Sequence, residues 1–305
     1  MGPEVAIAAV DALRDEPGRP RVVLVGPPGL GADGAGDDFV RIQGWRSGED
    51  IERAGAVAGR AIERAARLAL DGRVDGIVTA PIDKAALHAG GYRYPGHTEM
   101  LADLAGAPGA TMMLAAESTA VGGTLRVVLV TTHLPLARVP ETLTTALLVD
   151  RGRTTAAALA AGWSIERPRL ALCALNPHAS DGGLFGDEEA RILSPARDRL
   201  RADGIRVQGP IPADTVFHRA VHGEFDAVLV PYHDVGMAVF KTVAFGRGVN
   251  VTLGLPFVRT SPDHGTAFDI AGTGSADPGS MAAALRLAAR LALARRRADS
   301  HAPRP

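Results

Sequence analysis

Three histidines stand just beyond three short apolar runs: His133 after Leu125–Val130, His178 after Arg169–Ala174 and His233 after Phe225–Val230. Each run has the length and aliphatic content of a buried strand, so each imidazole falls past the carboxyl end of an expected strand. In a parallel sheet those ends share one rim, the edge where ligands bind. Three neutral imidazoles converging there would make an open site for a divalent cation, with positions left for substrate oxygens. The competing reading is three loop histidines satisfied by local hydrogen bonds, the usual state of a single histidine so placed. The shared placement among nine histidines keeps both readings open, and His88, His218, His222 and His301 lack it. Asp214 and Asp234 are candidates for a carboxylate ligand or for orienting an imidazole.

Other segments suit an anionic substrate. Lys84 closes Thr79-Ala80-Pro81-Ile82-Asp83-Lys84, just beyond a strand expected at Gly76–Thr79. Tyr94-Pro95-Gly96-His97-Thr98-Glu99 precedes a short apolar run of helical type, so its amides, with His97 and Thr98, are placed to meet a phosphate or carboxylate. Asn176 to Gly186 form a Gly-rich connection ending on Asp187-Glu188-Glu189. Lys241, Asn250 and Arg259 follow; taken alone, each reads more simply as a solvated lysine, a turn asparagine and a surface arginine respectively.

The elements that must position these groups alternate along the chain. Strands are expected at Arg21–Val25, Gly76–Thr79, Leu125–Val130, Arg169–Ala174, Phe225–Val230 and Asn250–Leu253. Helices are expected at Pro3–Arg14, Asp50–Leu70, Leu143–Ala161, Asp187–Ala202 and Ser280–Arg296, with Pro3 and Asp50 suited to helix starts. Nearly continuous apolar strands separated by helices imply an α/β fold with a mostly parallel sheet covered on both faces. Gly29-Leu30-Gly31-Ala32-Asp33-Gly34 spells a dinucleotide fingerprint. An extended-looking segment follows it where the motif requires a helix, so it reads as a surface loop.

Composition narrows the class. Charges nearly cancel, 33 basic against 34 acidic, which gives no field for nucleic acid or an anionic membrane. One cysteine, Cys173, excludes a disulfide framework and a thiolate metal cage, and its apolar neighbours make it a buried hydrophobe. No run is long and apolar enough for a bilayer, and the first residues lack a secretion-signal layout, so a soluble cytoplasmic protein is expected.

Ordered segments then carry a resemblance. Thr79–Lys84, Tyr94–Glu99, Thr131-Thr132-His133-Leu134-Pro135-Leu136, Leu175-Asn176-Pro177-His178-Ala179 and Pro212–Phe217 belong to it. So do Tyr232-His233-Asp234, Val249–Thr260 and Asp263–Gly272. Together they resemble the PdxA family, the 4-hydroxythreonine-4-phosphate dehydrogenases of vitamin B6 synthesis, from about Asp75 to the last helix. The resemblance implies an isocitrate/isopropylmalate dehydrogenase-like fold, two interleaved α/β lobes around a central cleft over residues 1–297, with a disordered tail at 298–305. It implies a homodimer with the site at the subunit interface, a phosphorylated hydroxy-acid substrate, NAD (NADP as the alternative) and one divalent ion per subunit, zinc, magnesium, cobalt or manganese. It assigns metal binding to His133, His178 and His233 and substrate contacts to His97, Thr98, Lys241, Asn250 and Arg259. Asp263 and His264 lie in a stretch that related dehydrogenases use near the cofactor. The implied reaction is oxidation of 4-phosphohydroxy-L-threonine at C3 with decarboxylation to 3-amino-2-oxopropyl phosphate.

Two departures from the family pattern stand out. The family opens with a strand and Gly-Asp-Pro-x-Gly-Ile-Gly-Pro-Glu, whereas this sequence starts at Met1-Gly2-Pro3-Glu4; a misassigned start is the preferred expectation, a degenerate paralogue the other. Val235 follows His233-Asp234 where the family usually has glutamine. Two alternatives therefore accompany the main expectation: a 4-phospho-D-threonate or 4-phospho-D-erythronate dehydrogenase, and a non-redox metal- or phosphate-binding paralogue.

Overall fold

Residues 2–29, 34–45 and 50–301 are described by the structure, a computed structural model. Two units divide the chain: residues up to Ala110 with Leu255–Leu293 form the first, Thr111–Gly254 with the chain end from Ala294 the second.

The first unit opens on α1 (Gly2–Ala12), with Pro3 in its first turn, where a missing N–H leaves no bond unmade. β1 (Val23–Gly26) and β2 (Asp38–Arg41) pair in parallel. α2 (Ile51–Leu70) starts at an Asp50 cap whose carboxylate accepts from the Arg53 amide at 2.8 Å. β3 (Gly76–Val78), α3 (Lys84–Ala89) and α4 (His97–Leu104) follow. Ile62, Ala66 and Ala69 of α2 pack with Leu87, Met100 and Leu101 into one core cluster, so burial of these apolar faces seats α3 and α4.

The second unit contains β4 (Thr111–Ala116), β5 (Leu125–Leu129), α5 (Val139–Thr142), α6 (Thr145–Trp163) and β6 (Arg169–Cys173). It continues with α7 (Ser194–Ala202), β7 (Arg206–Ile211), α8 (Ala213–Val221), β8 (Ala227–Val230), α9 (His233–Ala244) and β9 (Val249–Leu253). Its strand order is β9-β4-β5-β8-β6-β7. β5, β8, β6 and β7 run parallel, and β4 is antiparallel to both neighbours. The short turn between β4 and β5 cannot carry a crossover, which forces that reversal. The chain returns to the first unit as β10 (Val258–Pro262), parallel to β3, and ends in α10 (Gly279–His301).

Val127, Leu129, Ala171, Cys173, Val228 and Val230 of β5, β6 and β8 share a core with Val216, Phe217 and Phe240 of α8 and α9. Each fully buried Val, Leu or Phe contributes about 1.5–3 kcal/mol. Gly236 sets the closeness of α9. A Cβ there would lie 2.8 Å from both Val127 Cγ1 and Val230 Cγ2, so the helix start bearing His233 is held against the strand ends.

The expected α/β fold is present, and every expected strand and helix has a counterpart. The differences have local causes. β4 reads Thr-Met-Met-Leu-Ala-Ala, whose Met, Leu and Ala favour helix in isolation, and it was not anticipated. β7 contains Gly209-Pro210 and β10 ends on Pro262, punctuation that hid both strands. α9 was hidden by Gly236 and its valines. The helix expected from Asp187 begins instead as a π turn, Glu189–Leu193, before α7. α10 runs past Arg296 into the expected tail, as far as His301. In the fingerprint-like loop Leu30–Asp33 lie outside the described residues, and β2 rather than a helix follows. Among the described residues no helix is long and apolar enough to cross a membrane.

Candidate active site

Because β5, β8 and β6 are adjacent and parallel, their carboxyl ends lie on one edge. The Val130 amide donates to Val230 O at 2.9 Å and Thr131 Oγ1 donates to Pro231 O at 2.5 Å, joining the segment carrying His133 to that carrying His233. The two imidazole centroids are 5.7 Å apart, tilted by 42°, close enough to address a common ligand. His233 Nδ1 lies 2.7 Å from Asp234 Oδ1, and Tyr232 OH donates to Asp234 Oδ2 at 3.0 Å. Those bonds, His233 first, hold the Asp234 carboxyl below its ordinary range. An Nδ1–H donated to that carboxylate leaves Nε2 with its lone pair outward, the tautomer a metal requires.

His178 follows β6, its ring 6.4 Å from that of Phe185. Among the described residues no group of three or more His, Cys, Asp or Glu side chains gathers at metal-binding spacing. This chain alone therefore brings His133 and His233 together and does not add His178. The donor chemistry, imidazoles with an orienting carboxylate, fits a borderline cation such as zinc or cobalt better than magnesium, which prefers oxygen. Asp214 is exposed in the first turn of α8. His133 and His178 share a second property: both have left-handed backbone, φ 51° and 50°. Such conformations cost an L-residue about 1–3 kcal/mol and persist where the surroundings enforce them.

The first unit assembles a different group. Arg259, in β10, is 3 % exposed. Its Nη2 donates to Thr79 Oγ1 at 2.7 Å and its Nη1 makes a longer 3.5 Å contact with Thr98 Oγ1. Burial lowers the Arg259 pKa to about 10 against the pull of Glu99, leaving the guanidinium charged at neutral pH. Burial, then the Arg259 charge, pushes His97 down to about 3, so its imidazole is neutral there. His97 and Thr98 open α4, whose amino end has no side-chain cap. A buried cation, a hydroxyl, a neutral imidazole and helix-terminal amides together form a place for an anion.

The remaining candidates are distributed. Lys241 lies on α9, its Nζ 5.8 Å from the Phe245 ring centroid. Asn250, on β9, has a buried Oδ1 without a hydrogen-bond partner among the described residues, an acceptor suited to a bound donor. Asp263 and His264 follow β10; His264 Nδ1 is 3.1 Å from Gly265 O and its Nε2 is buried and unpartnered among the described residues. Lys84 heads α3. Thr79 was not singled out individually by sequence, although it opens the Thr79–Lys84 motif. Glu189 was noted only as the end of a loop. A pocket near Arg206 and Phe225 contains none of these residues.

The sequence matches the family described as pyridoxal phosphate biosynthetic protein PdxA over residues 32–288. The chain belongs to the PdxA family. A 4-hydroxythreonine-4-phosphate dehydrogenase of Caulobacter vibrioides is 51% identical over 236 residues, covering 77% of this chain and 71% of that protein. One of Methylorubrum extorquens is 43% identical in an alignment covering 100% of this chain and 94% of the relative. The crystal structure of the Klebsiella pneumoniae 4-hydroxythreonine-4-phosphate dehydrogenase superposes with a TM-score of 0.79 at 38% identity, covering 96% of both chains. The chain is accordingly a PdxA-type oxidoreductase with the mostly parallel α/β fold of its solved relatives.

Proposed function

We propose that this PdxA-family chain oxidises 4-phosphohydroxy-L-threonine at C3, using NAD or alternatively NADP, and decarboxylates the product to 3-amino-2-oxopropyl phosphate for pyridoxal 5'-phosphate synthesis. The observation that carries the reading is buried, charged Arg259 beside Thr98 and neutral His97 at the uncapped start of α4. That group suits a phosphate, because guanidinium and helix amides supply charge and directed donors without water.

His97 and Thr98 add neutral hydrogen bonds to the phosphate, and Arg259 supplies the compensating charge. Lys241 and Asn250 hold the substrate's carboxylate and polar atoms, Asn250 through a buried acceptor with no partner among the described residues. His133 and His233 would hold the divalent ion, with His178 contributed by a second copy in a homodimer. When bound, that ion supplies Lewis acidity toward the C3 oxygen. Asp263 and His264 would hold the nicotinamide cofactor, which would supply the hydride acceptor. Asp234 keeps His233 in the tautomer that presents Nε2.

Val235 supports a second substrate. It packs against the core where the family pattern has glutamine, so one polar contact is missing and 4-phospho-D-threonate is the rival substrate to test. The deciding assay follows NADH formation from each substrate with and without divalent metal. Metal-dependent turnover of the threonine derivative supports the main reading; preference for the threonate moves the activity to sugar-acid breakdown. Failure on both, with metal and either nicotinamide present, rejects the proposed chemistry.

A further inference from the structure

The connection that carries His178 has an unusual backbone. His178, Ala179, Ser180, Asp181 and Gly182 have successive φ values of 50°, 56°, 68°, 42° and 69°. Four of them are not glycine, so a left-handed turn built from L-residues stands where a right-handed turn is sterically easier. Such a run needs something to hold it.

Glu189 is placed to do so. Its Oε1 accepts from the amides of Leu175 and Asn176, both at 2.8 Å, ahead of the turn. Its Oε2 accepts from Asn176 Nδ2 at 2.9 Å and from the hydroxyl of Ser180, in the middle of the turn. Glu189 and Ser180 are both buried, so the carboxylate and the Ser180 hydroxyl depend on each other and on these protein donors rather than on water. Burial tends to raise the Glu189 pKa, but the bonds from Asn176 and Ser180 outweigh it and hold the carboxyl below its ordinary value. Asn176 Nδ2 also donates to Glu188 Oε2 at 2.8 Å. Gly186, at φ 120°, closes the loop onto this arrangement: a Cβ there would meet Glu188 Oε2 at 2.6 Å and Asn176 Nδ2 at 2.9 Å. The carboxylate comes from the π turn Glu189–Leu193, a local widening of the helix.

We propose that Glu189 is a positioning residue: its buried carboxylate holds the left-handed turn at residues 178–182 and thereby sets where His178 presents its imidazole. The link to His178 rests on the reading of that histidine as a metal ligand; the link between Glu189 and the turn does not.

The test uses the full chain with Glu189→Gln, Glu189→Ala, Glu189→Gln combined with Ala179→Gly, and His178→Ala. Two quantities are read: Co2+ affinity by titration, and backbone amide hydrogen exchange without metal. Glu189→Gln keeps one oxygen for the two amides but turns an N–H toward Asn176 Nδ2. It should weaken Co2+ binding about 10- to 100-fold, as loss of a ligand-orienting group does, and raise exchange across residues 175–186 with the strands unaffected. Glycine at a positive φ carries no steric penalty, so Ala179→Gly should recover part of the lost affinity, which a general folding defect would not allow. Glu189→Ala should exceed the Gln variant; if it does not fold, the Gln pair still decides. Wild-type exchange and affinity in Glu189→Gln would overturn the proposal, as would absence of recovery on Ala179→Gly. Wild-type Co2+ affinity in His178→Ala would instead overturn the ligand reading, leaving exchange to judge the hold on the turn.

Discussion

Arg259 reaches its place from within a strand, whereas His133 and His178 leave strand ends in backbone conformations that L-residues disfavour. The guanidinium is buried and already bonded to Thr79. The histidine rim is less complete: two imidazoles 5.7 Å apart, the third outside their group. The difference is instructive about preorganisation. A buried cation must be held when the chain folds, because desolvation without partners is too costly. Imidazoles at a solvent-facing rim carry no such desolvation cost, so they can remain dispersed in the folded chain.

If the comparison is right, Arg259→Ala should have the largest effect. Losing a desolvated charge that meets a phosphate costs about 2–5 kcal/mol, roughly 30- to several-thousand-fold in kcat/KM. Steady-state kinetics, with a melting curve to confirm folding, reads it. Arg259→Lys should recover only part, since an ammonium cannot reproduce the two-pronged contact to Thr79 and Thr98. An unchanged kcat/KM in the alanine variant would remove the phosphate role.

On the rim, Asp234→Asn should lower divalent-metal affinity about 10- to 100-fold by releasing the His233 tautomer. Calorimetric titration measures it, and Arg259→Ala should leave that affinity near wild type. A metal affinity that followed Arg259 and ignored Asp234 would reverse the assignment of the two regions.

His97 gives a smaller, pH-dependent difference. Its folded pKa is lowered from 6.5 to about 3, so between those values the unfolded chain binds a proton that the folded chain refuses. Its contribution is therefore fully present above pH 6.5 and declines as pH falls toward 3, by about 1–2 kcal/mol by pH 5. In thermal melts across this range the wild type should lose stability relative to His97→Gln as pH falls. Parallel curves would show that His97 is not desolvated. Val235→Gln should have the smallest effect, a few-fold shift in preference between the threonine and threonate substrates, read from paired kcat/KM values.

Much of the rim was legible because its signal is local. An apolar run followed by histidine specifies both a strand and the end where the imidazole emerges, and β5, β6 and β8 appeared as expected. The Arg259 group was less legible. β10 is disguised by Pro262, and Thr79 and Arg259 are 180 residues apart, so no spacing rule connects them. Glu189 was overlooked because a carboxylate in Asp187-Glu188-Glu189 resembles a solvated helix start. Its burial depends on a left-handed turn that residue types other than glycine do not announce.

Periodicity, strand-end placement and ordered motifs were enough to determine the α/β class and the family and to nominate candidate site residues. Those properties reside in side-chain types and short-range order, which the sequence displays directly. The charge state of His97, the desolvation of Arg259, the reversal of β4 and the grip of Glu189 on its turn were decided only by the tertiary structure. Each depends on which distant groups exclude water from one another, and dielectric and hydrogen-bond satisfaction are properties of the packed chain.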